Sequence, residues 1–459
     1  MRPLSLSGRT YARLTSPWLV SLSVLVAFAI LGPAIGAASR PLFVISCLVV
    51  GIIAWRQSPA AHFTAATLLF CFTPLVRRLI DVELGFDQSG LMIAGPLAAL
   101  LAPLPELAGI AAPDRPADSK TSKFLVLACC TIYAVLLSVA QGQWSLAAGG
   151  ALKWLAPLAY GLALYERRPD AAEFLDNAAK TFRIILPIIA VYGVYQYMNP
   201  PIWDRYWLEY APISSAGLPA PYQVRVFSTM NAPAAFATFT ATAIVVLHLT
   251  GSDWTSRLAI VLAVVGLLLS LYRTAWLSLA AGLVFGVFSN ASWRATVGTL
   301  IALAMGGLGL TAFSPHGDLV AARLGSLGDL SNDSSGNERL AQYSLLWGQS
   351  DGGLLGSGFG SVDVVVAGAQ PVDGMIIACW STMGLVVGLV YLLALVSLIL
   401  GSIRAGLYTQ RRSSLTFAAL SLGWLLQVPL ATITTAELGF LFWAFTGCAL
   451  AESNRGRSP

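Results

Sequence analysis

Charge is what this chain most lacks. Only 11% of its 459 residues are Asp, Glu, Lys or Arg, against roughly a quarter in an ordinary soluble domain. So few charges cannot cover a water-facing surface, which excludes a soluble enzyme, a secreted globular protein and a disordered chain. Histidine is scarce as well, and His62, His248 and His316 are too scattered to form a metal site. The cysteines, Cys47, Cys71, Cys129, Cys130, Cys379 and Cys448, lie in apolar stretches without C-x-x-C spacing. They read as small buried hydrophobes rather than disulfide partners or metal ligands. Neither an internal repeat nor a low-complexity linker is visible.

What remains is apolar: 56% hydrophobic residues and a mean hydropathy of +0.73. The Leu/Val/Ala/Gly runs have the length of transmembrane helices, about 20 residues, and do not alternate over about ten residues as barrel strands do. The chain therefore reads as an all-α, polytopic integral membrane protein, a single transmembrane domain over residues 1–459 with about 12–14 transmembrane helices. The spans fall near 17–38, 41–55, 60–76, 88–108, 123–140, 145–165, 183–199, 226–250, 258–271, 274–289, 295–313, 372–401, 414–430 and 435–451. Residues 17–38 resemble a signal peptide in length, but a second span follows at once, so they read as a membrane anchor.

Placing the N-terminus in the cytoplasm puts most Lys and Arg residues on the inner side, as the positive-inside rule asks, with both termini cytoplasmic. Arg40, Arg77, Arg78, Lys153, Arg205, Arg225, Arg273, Arg323 and Arg339 are left facing out or near the outer leaflet. Two outer segments are long. Residues 199–224 are rich in Pro, Trp and Tyr, with Trp203, Tyr206, Trp207, Tyr210 and Tyr222 as candidates for ligand contacts. Residues 314–371 hold Ser, Gly and Asp clusters, and loops of that length are usually functional or disordered. Within it, NERLAQYSLLWGQ (337–349) places Leu340, Tyr343 and Trp347 at helical spacing behind the N-cap candidate Asn337. It predicts an amphipathic helix lying along the outer membrane surface.

Three of the outer arginines sit where arginine is costly. Arg225 opens a span in RVFSTMNAPAAF, Arg273 lies in LLLSLYRTAWLSLA, and Arg339 leads the amphipathic helix. Arginine at membrane depth costs several kcal/mol unless it faces a cavity or a partner. A guanidinium fork suits a phosphate and keeps its charge when desolvated. Each could instead snorkel to headgroups or pair with an acid such as Asp333 or Glu338; convergence of all three favours the phosphate reading. The string LLGSGFGS, with Gly356, Gly358 and Gly360, lacks the G-K-[ST] ending of a nucleotide loop. Its glycines suit a tight turn or a close approach to a ligand. Asp373, in QPVDGMIIACW, is either an N-cap or a chemical group. Glu437, in TTAELGFLFW, pairs with an arginine or with solvent, and Lys153, in ALKWLAPLAYG, has no assignable role.

Together these segments resemble the O-antigen ligase and polymerase superfamily of bacterial polysaccharide assembly. Three features carry the resemblance, over about residues 185–400. Arg225 begins a span with Asn231-Ala232-Pro233 after it. Leu271-Tyr272-Arg273-Thr274-Ala275-Trp276 opens a later helix where the family often shows Ser-Arg-Gly. A long loop runs from Arg339 to the glycine string ending at Gly360. The resemblance implies glycosyl transfer at the periplasmic face of the bacterial inner membrane, with 199–224 and 314–371 as periplasmic loops. It implies a glycan on undecaprenyl diphosphate as donor, a sugar hydroxyl of a second such molecule as acceptor, and an inverting, metal-independent reaction without a cofactor. Arg225, Arg273 and Arg339 would bind the diphosphate. The lipid bilayer and a chain-length regulator are the other expected partners, and nucleic acid is not one.

The ligase branch carries a histidine shortly after the glycine string, whereas residues 361–371 read SVDVVVAGAQP. Asp373 stands there instead, the expected general base, with Glu338 as the fallback. The departure favours a polymerase of exopolysaccharide or O-antigen repeat units over a ligase acting on lipid A core. A non-enzymatic alternative is a flippase of lipid-linked oligosaccharides, although flippases have short loops and two similar halves.

Overall fold

The computed structural model describes residues 16–109, 118–211, 214–251, 253–288, 297–299, 301, 340–341, 343–344, 346–348, 352–359 and 374–455. Among these the fold is helical, and the bridge between Gly217 and Val224 is the one β-type pairing. The longer helices are α1 (Pro17–Ile35), α2 (Ser39–Gln57), α3 (Pro59–Leu84), α4 (Ser119–Ala140), α5 (Trp144–Arg167), α6 (Ala171–Met198) and α7 (Ile202–Tyr210). They continue with α8 (Pro233–Thr250), α9 (Trp254–Leu269), α10 (Arg273–Phe288), α11 (Met375–Thr409), α12 (Arg412–Gln427) and α13 (Ala436–Arg455). Six helical stretches, α1 with α2 taken as one, α3, α4, α6, α8 and α11, are long and apolar enough to cross a membrane, and α9 and α10 are shorter apolar helices. The chain is a multi-pass membrane protein.

The helix starts follow local chemistry. Ser58 accepts a hydrogen bond from the Ala61 amide ahead of Pro59, Asp118 caps the Lys120 and Thr121 amides, and Asp170 caps Glu173. These are the side chains and the first-turn proline that helix N-termini favour. Leu19, Ile30 and Ile45 on α1 and α2 point outward, a surface suited to hydrocarbon. The centre is filled by Phe440, Phe442, Trp443 and Phe445 of α13. There the α13 backbone lies against α5, so that a Cβ on Gly447 would meet the Gly161 carbonyl at 2.3 Å. All the cysteines are free thiols; Cys129 is exposed and the others are buried.

Two expected spans are not continuous helices. Residues 88–108 form a 3-10 turn (Leu91–Ile93), a short helix (Ala94–Ala99), turns, and another short helix (Leu104–Leu107), because Pro96, Pro103 and Pro105 remove donors along the run. Helix α11 breaks at Gly384, where φ is 79° and ψ is 171°, a region that only glycine occupies without strain. Around this break the chain doubles back. Met375 and Tyr391 both reach Thr434: its hydroxyl accepts from Tyr391 Oη at 3.2 Å and donates to Met375 Sδ at 3.3 Å. The expected span near 295–313 falls almost wholly outside the described residues.

The glycine string explains the break. Backbone amides of Ser357 and Gly358 donate to the Ser381 and Thr382 carbonyls, the Phe359 amide donates to Ser138 Oγ, and Trp380 Nε1 donates to the Gly353 carbonyl. A Cβ on Gly356 would lie 2.3 Å from the Gly384 amide nitrogen, and one on Gly384 2.3 Å from the Leu354 carbonyl. The close approach expected of these glycines is therefore to the chain's own helix. Gly384→Ala is expected to lower stability by about 1–3 kcal/mol from backbone strain alone. Gly149→Ala, whose added Cβ meets nothing within 4 Å, should stay within about 0.5 kcal/mol of the parent. Thermal unfolding in detergent checks the pair, and equal midpoints would refute the packing argument.

Positions 340–341, 343–344 and 346–348 are helical, as the amphipathic pattern predicts. Leu340 is 67% exposed and Trp347 77% exposed, whereas Leu346 turns inward. The outward apolar stripe thus includes Leu340 and Trp347, and Trp347 also meets the edge of Trp380.

Charged residues collect at two opposite ends. At one, Arg167 pairs with Glu106, Arg183 with Asp253 at 2.9 Å, Lys120 donates to the Leu450 carbonyl, and Arg412 to that of Leu249. The other end holds Arg40, Arg77, Arg78, Arg205, Arg225 and Arg273.

Candidate active site

Several cations at the Arg225 end are committed to holding the fold. Arg78 is 1% exposed and Asp204 0%. Arg78 Nη1 donates to Asp204 Oδ1 at 2.7 Å, and its Nη2 donates to the Ser228 carbonyl at 2.8 Å. The second Asp204 oxygen accepts from Gln196 Nε2 at 2.7 Å and from Tyr192 Oη at 2.9 Å. Gln196 Oε1 in turn accepts the amides of Phe227 and Ser228. Burial pushes the Asp204 carboxyl up, while Arg78, Gln196 and Tyr192 pull it back down. This network ties α3, α6, α7 and the 225–230 segment together. Beside it Arg77 and Arg40 share Asp81 at 3.1 and 3.0 Å, and Arg205 binds the Pro200 carbonyl and Asn199 Oδ1. These arginines, counted from sequence as outer cations in need of a reason, find it in pairing.

The loop aromatics are likewise structural. Trp207 is buried against Phe227, Trp203 donates to Tyr192 Oη, Tyr206 Oη accepts the Phe86 amide, Tyr210 stacks on Phe86, and Tyr222 packs on Tyr197. Among the described residues lining the cavity next to this end, none is one of these aromatics.

That cavity has a volume of about 340 Å³, within the range of small-molecule sites. Its polar wall is Lys153, Asn231, Tyr272, Thr432, Thr435 and Glu437. Lys153 projects from α5 and is exposed, so the space is reached from outside. An adjoining, mostly apolar chamber shares the Phe70, Glu437 and Asn231 walls and adds Thr73, Thr238, Phe239 and Phe440. Three helices start at the cavity. Ala232, Ala234 and Ala235 belong to the start of α8, Tyr272 immediately precedes α10, and Ala436 and Glu437 form the first turn of α13. Helix α8 has no side-chain cap. Helix N-termini carry partial positive charge and unbonded amides, so their convergence with Lys153 favours an anion.

Of the residues expected from sequence to bind diphosphate, Arg225 and Arg273 come to one place. Both are half-buried. Arg225 donates to the carbonyls of Ser270 (3.4 Å) and Leu271 (3.1 Å), directly ahead of Tyr272 at the cavity and Arg273 at the start of α10. Arg339, Glu338 and Asp373 lie outside the described residues. Gly374, the next residue after Asp373, packs on the Pro429 carbonyl, two residues from the cavity-lining Ala431.

Sequence reasoning left Lys153 without a role and Glu437 as an isolated acid. They stand on one cavity wall and act on each other electrostatically, so Glu437 faces a lysine where an arginine or solvent was expected. Each was marked by being a lone charge in an apolar span, but nothing local could pair residues so far apart. Among the described residues no group of three or more His, Cys, Asp or Glu side chains is placed to hold a metal ion. No protein-family model matches the sequence, and no curated protein matches it.

Proposed function

We propose that this protein is a membrane glycosyltransferase that polymerises undecaprenyl-diphosphate-linked oligosaccharide repeat units for exopolysaccharide or O-antigen, working at the periplasmic face of the inner membrane. The observation that carries this reading is the cavity where three helix N-termini and Lys153 meet, with Arg225 bound to the Ser270 and Leu271 carbonyls directly ahead of the cavity-lining Tyr272 and of Arg273. Such a site suits a diphosphate, whose negative charge grows as the sugar–phosphate bond breaks. In this reading the bundle has about 12–14 spans, the N-terminus is cytoplasmic, and the Arg225 end faces out. Arg225 and Arg273, with Arg339 from the long loop, hold the departing diphosphate by charge-assisted hydrogen bonds. The acceptor hydroxyl attacks the anomeric carbon from the opposite face, inverting it, and its proton goes to a carboxylate. Asp373 and Glu338 are sequence candidates for that carboxylate, and Glu437 is a third.

The test is the lipid-linked pool in a strain deleted for this gene. The expected result is single repeat units on lipid carrier, accumulated outside the cell and converted to long chains when the purified protein is added. Repeat units trapped inside the cell would instead mark a flippase. Long chains not attached to core would mark a ligase.

A further inference from the structure

Building on the proposed transfer reaction, we infer that the Lys153–Glu437 wall of this cavity is the acceptor subsite beside the diphosphate, taking a neutral sugar through its hydroxyls, and that Glu437 is the general base. Among the described residues, Glu437 is the only carboxylate that lines the cavity. It stands in the first turn of α13, a rigid position fixed by the packing of Phe440 and Trp443 below it, as a base must be. Around it the lining offers Asn231, Thr432, Thr435 and Tyr272, neutral donors and acceptors of the kind that recognise sugar hydroxyls.

The adjoining chamber adds a second observation. Thr73 and Thr238 are buried in its wall, and their hydroxyls have no hydrogen-bond partner among the described residues. Thr64 and Thr67 on the same helix as Thr73 donate instead to the carbonyl four residues back, the usual outlet for a helical threonine. These two hydroxyls line the chamber that Glu437 also lines, where a polar occupant could engage them. Lys153 reaches the same cavity from the neighbouring helix, α5. Lys153 and Tyr272 are the other titratable side chains in the lining.

The step balances without another reagent. The acceptor oxygen forms a bond to the anomeric carbon and its proton passes to a Glu437 carboxylate oxygen. The anomeric carbon–oxygen bond breaks, and its electron pair leaves on the diphosphate held at the arginines. The proton on Glu437 is then lost to solvent through the cavity mouth at Lys153.

The experiment uses full-length protein in lipid nanodiscs and lipid-linked single repeat units extracted from the deletion strain. Glu437→Gln, which preserves shape, is expected to keep its thermal midpoint and KM within threefold of the parent. Its kcat should fall at least 100-fold, the usual lower bound for loss of a general base, and the acidic limb of the pH–rate profile should vanish. Glu437→Asp should restore part of the rate and the limb. A Glu437→Gln protein that polymerises within threefold of the parent overturns the inference and leaves the proposed function standing. So does loss of the acidic limb in Asp373→Asn but not in Glu437→Gln. A parent protein that never lengthens the extracted repeat units overturns the proposed function, and the inference with it.

Discussion

Arg78→Ala is expected to destabilise the protein by about 3–5 kcal/mol at neutral pH, the usual result of removing one partner from a buried ion pair. The loss exceeds that of a surface pair because nothing replaces the guanidinium. Asp204 would remain buried, held by Gln196 and Tyr192, with its compensating charge gone. The Ser228 carbonyl would lose its donor as well. Two further measurements separate this account from a mere packing defect. The first is pH. Burial already pushes the Asp204 carboxyl up in the parent, and removing Arg78 pushes it further. A group whose folded pKa lies above its unfolded one contributes stability below the unfolded pKa and loses it as pH rises through the folded pKa. The variant should therefore be least stable, relative to the parent, at alkaline pH and recover as pH falls. The second is Arg78→Ala combined with Asp204→Asn, which removes the stranded charge. The double variant should be more stable at neutral pH than Arg78→Ala alone, a coupling read from a double-mutant cycle. Strictly additive effects would show that the pair is incidental.

This network also marks where sequence reading stops. Spans such as Ser119–Ala140 and Trp144–Arg167 lie within a few residues of the apolar runs near 123–140 and 145–165, because hydropathy and caps such as Asp118 are local properties. Gly384 and the prolines at 96, 103 and 105 were visible as letters, yet hydropathy alone counts the runs that contain them as unbroken. Only the docked segment 352–359 makes the α11 break necessary. The same limit governs charge. Arg78 and Asp204 are 126 positions apart, so no window could show that Arg78 is spent on the fold or that Arg225 bonds the Ser270 and Leu271 carbonyls ahead of Arg273. Lys153 and Glu437 were each legible as anomalies. Their meeting depends on α5 packing against α13, which small residues such as Gly161 and Gly447 permit but do not announce.

Arg273→Ala is expected to lower kcat/KM for lengthening lipid-linked repeat units by about 100- to 1,000-fold, the range found when a preorganised donor to a developing charge is removed. Arg273 begins α10, so its guanidinium and the helix N-terminus act at one location, and α10 itself does not need the side chain in order to form. Arg225→Ala should cost a similar factor in rate and also lower the midpoint, because the Arg225 side chain bridges the Ser270 and Leu271 carbonyls. Those bonds hold the turn in which Leu271 adopts a φ of 53°, ahead of Tyr272. Lysine at position 225 cannot span two carbonyls and still reach a ligand, since its three donors share a single nitrogen. Arg225→Lys should thus remain close to Arg225→Ala in both measurements, while Arg273→Lys recovers part of the rate through its charge. The contrast between the two positions is the informative result. Were Arg273→Ala to polymerise within threefold of the parent, the strip ahead of α10 would be a structural feature and the diphosphate would have to be held elsewhere.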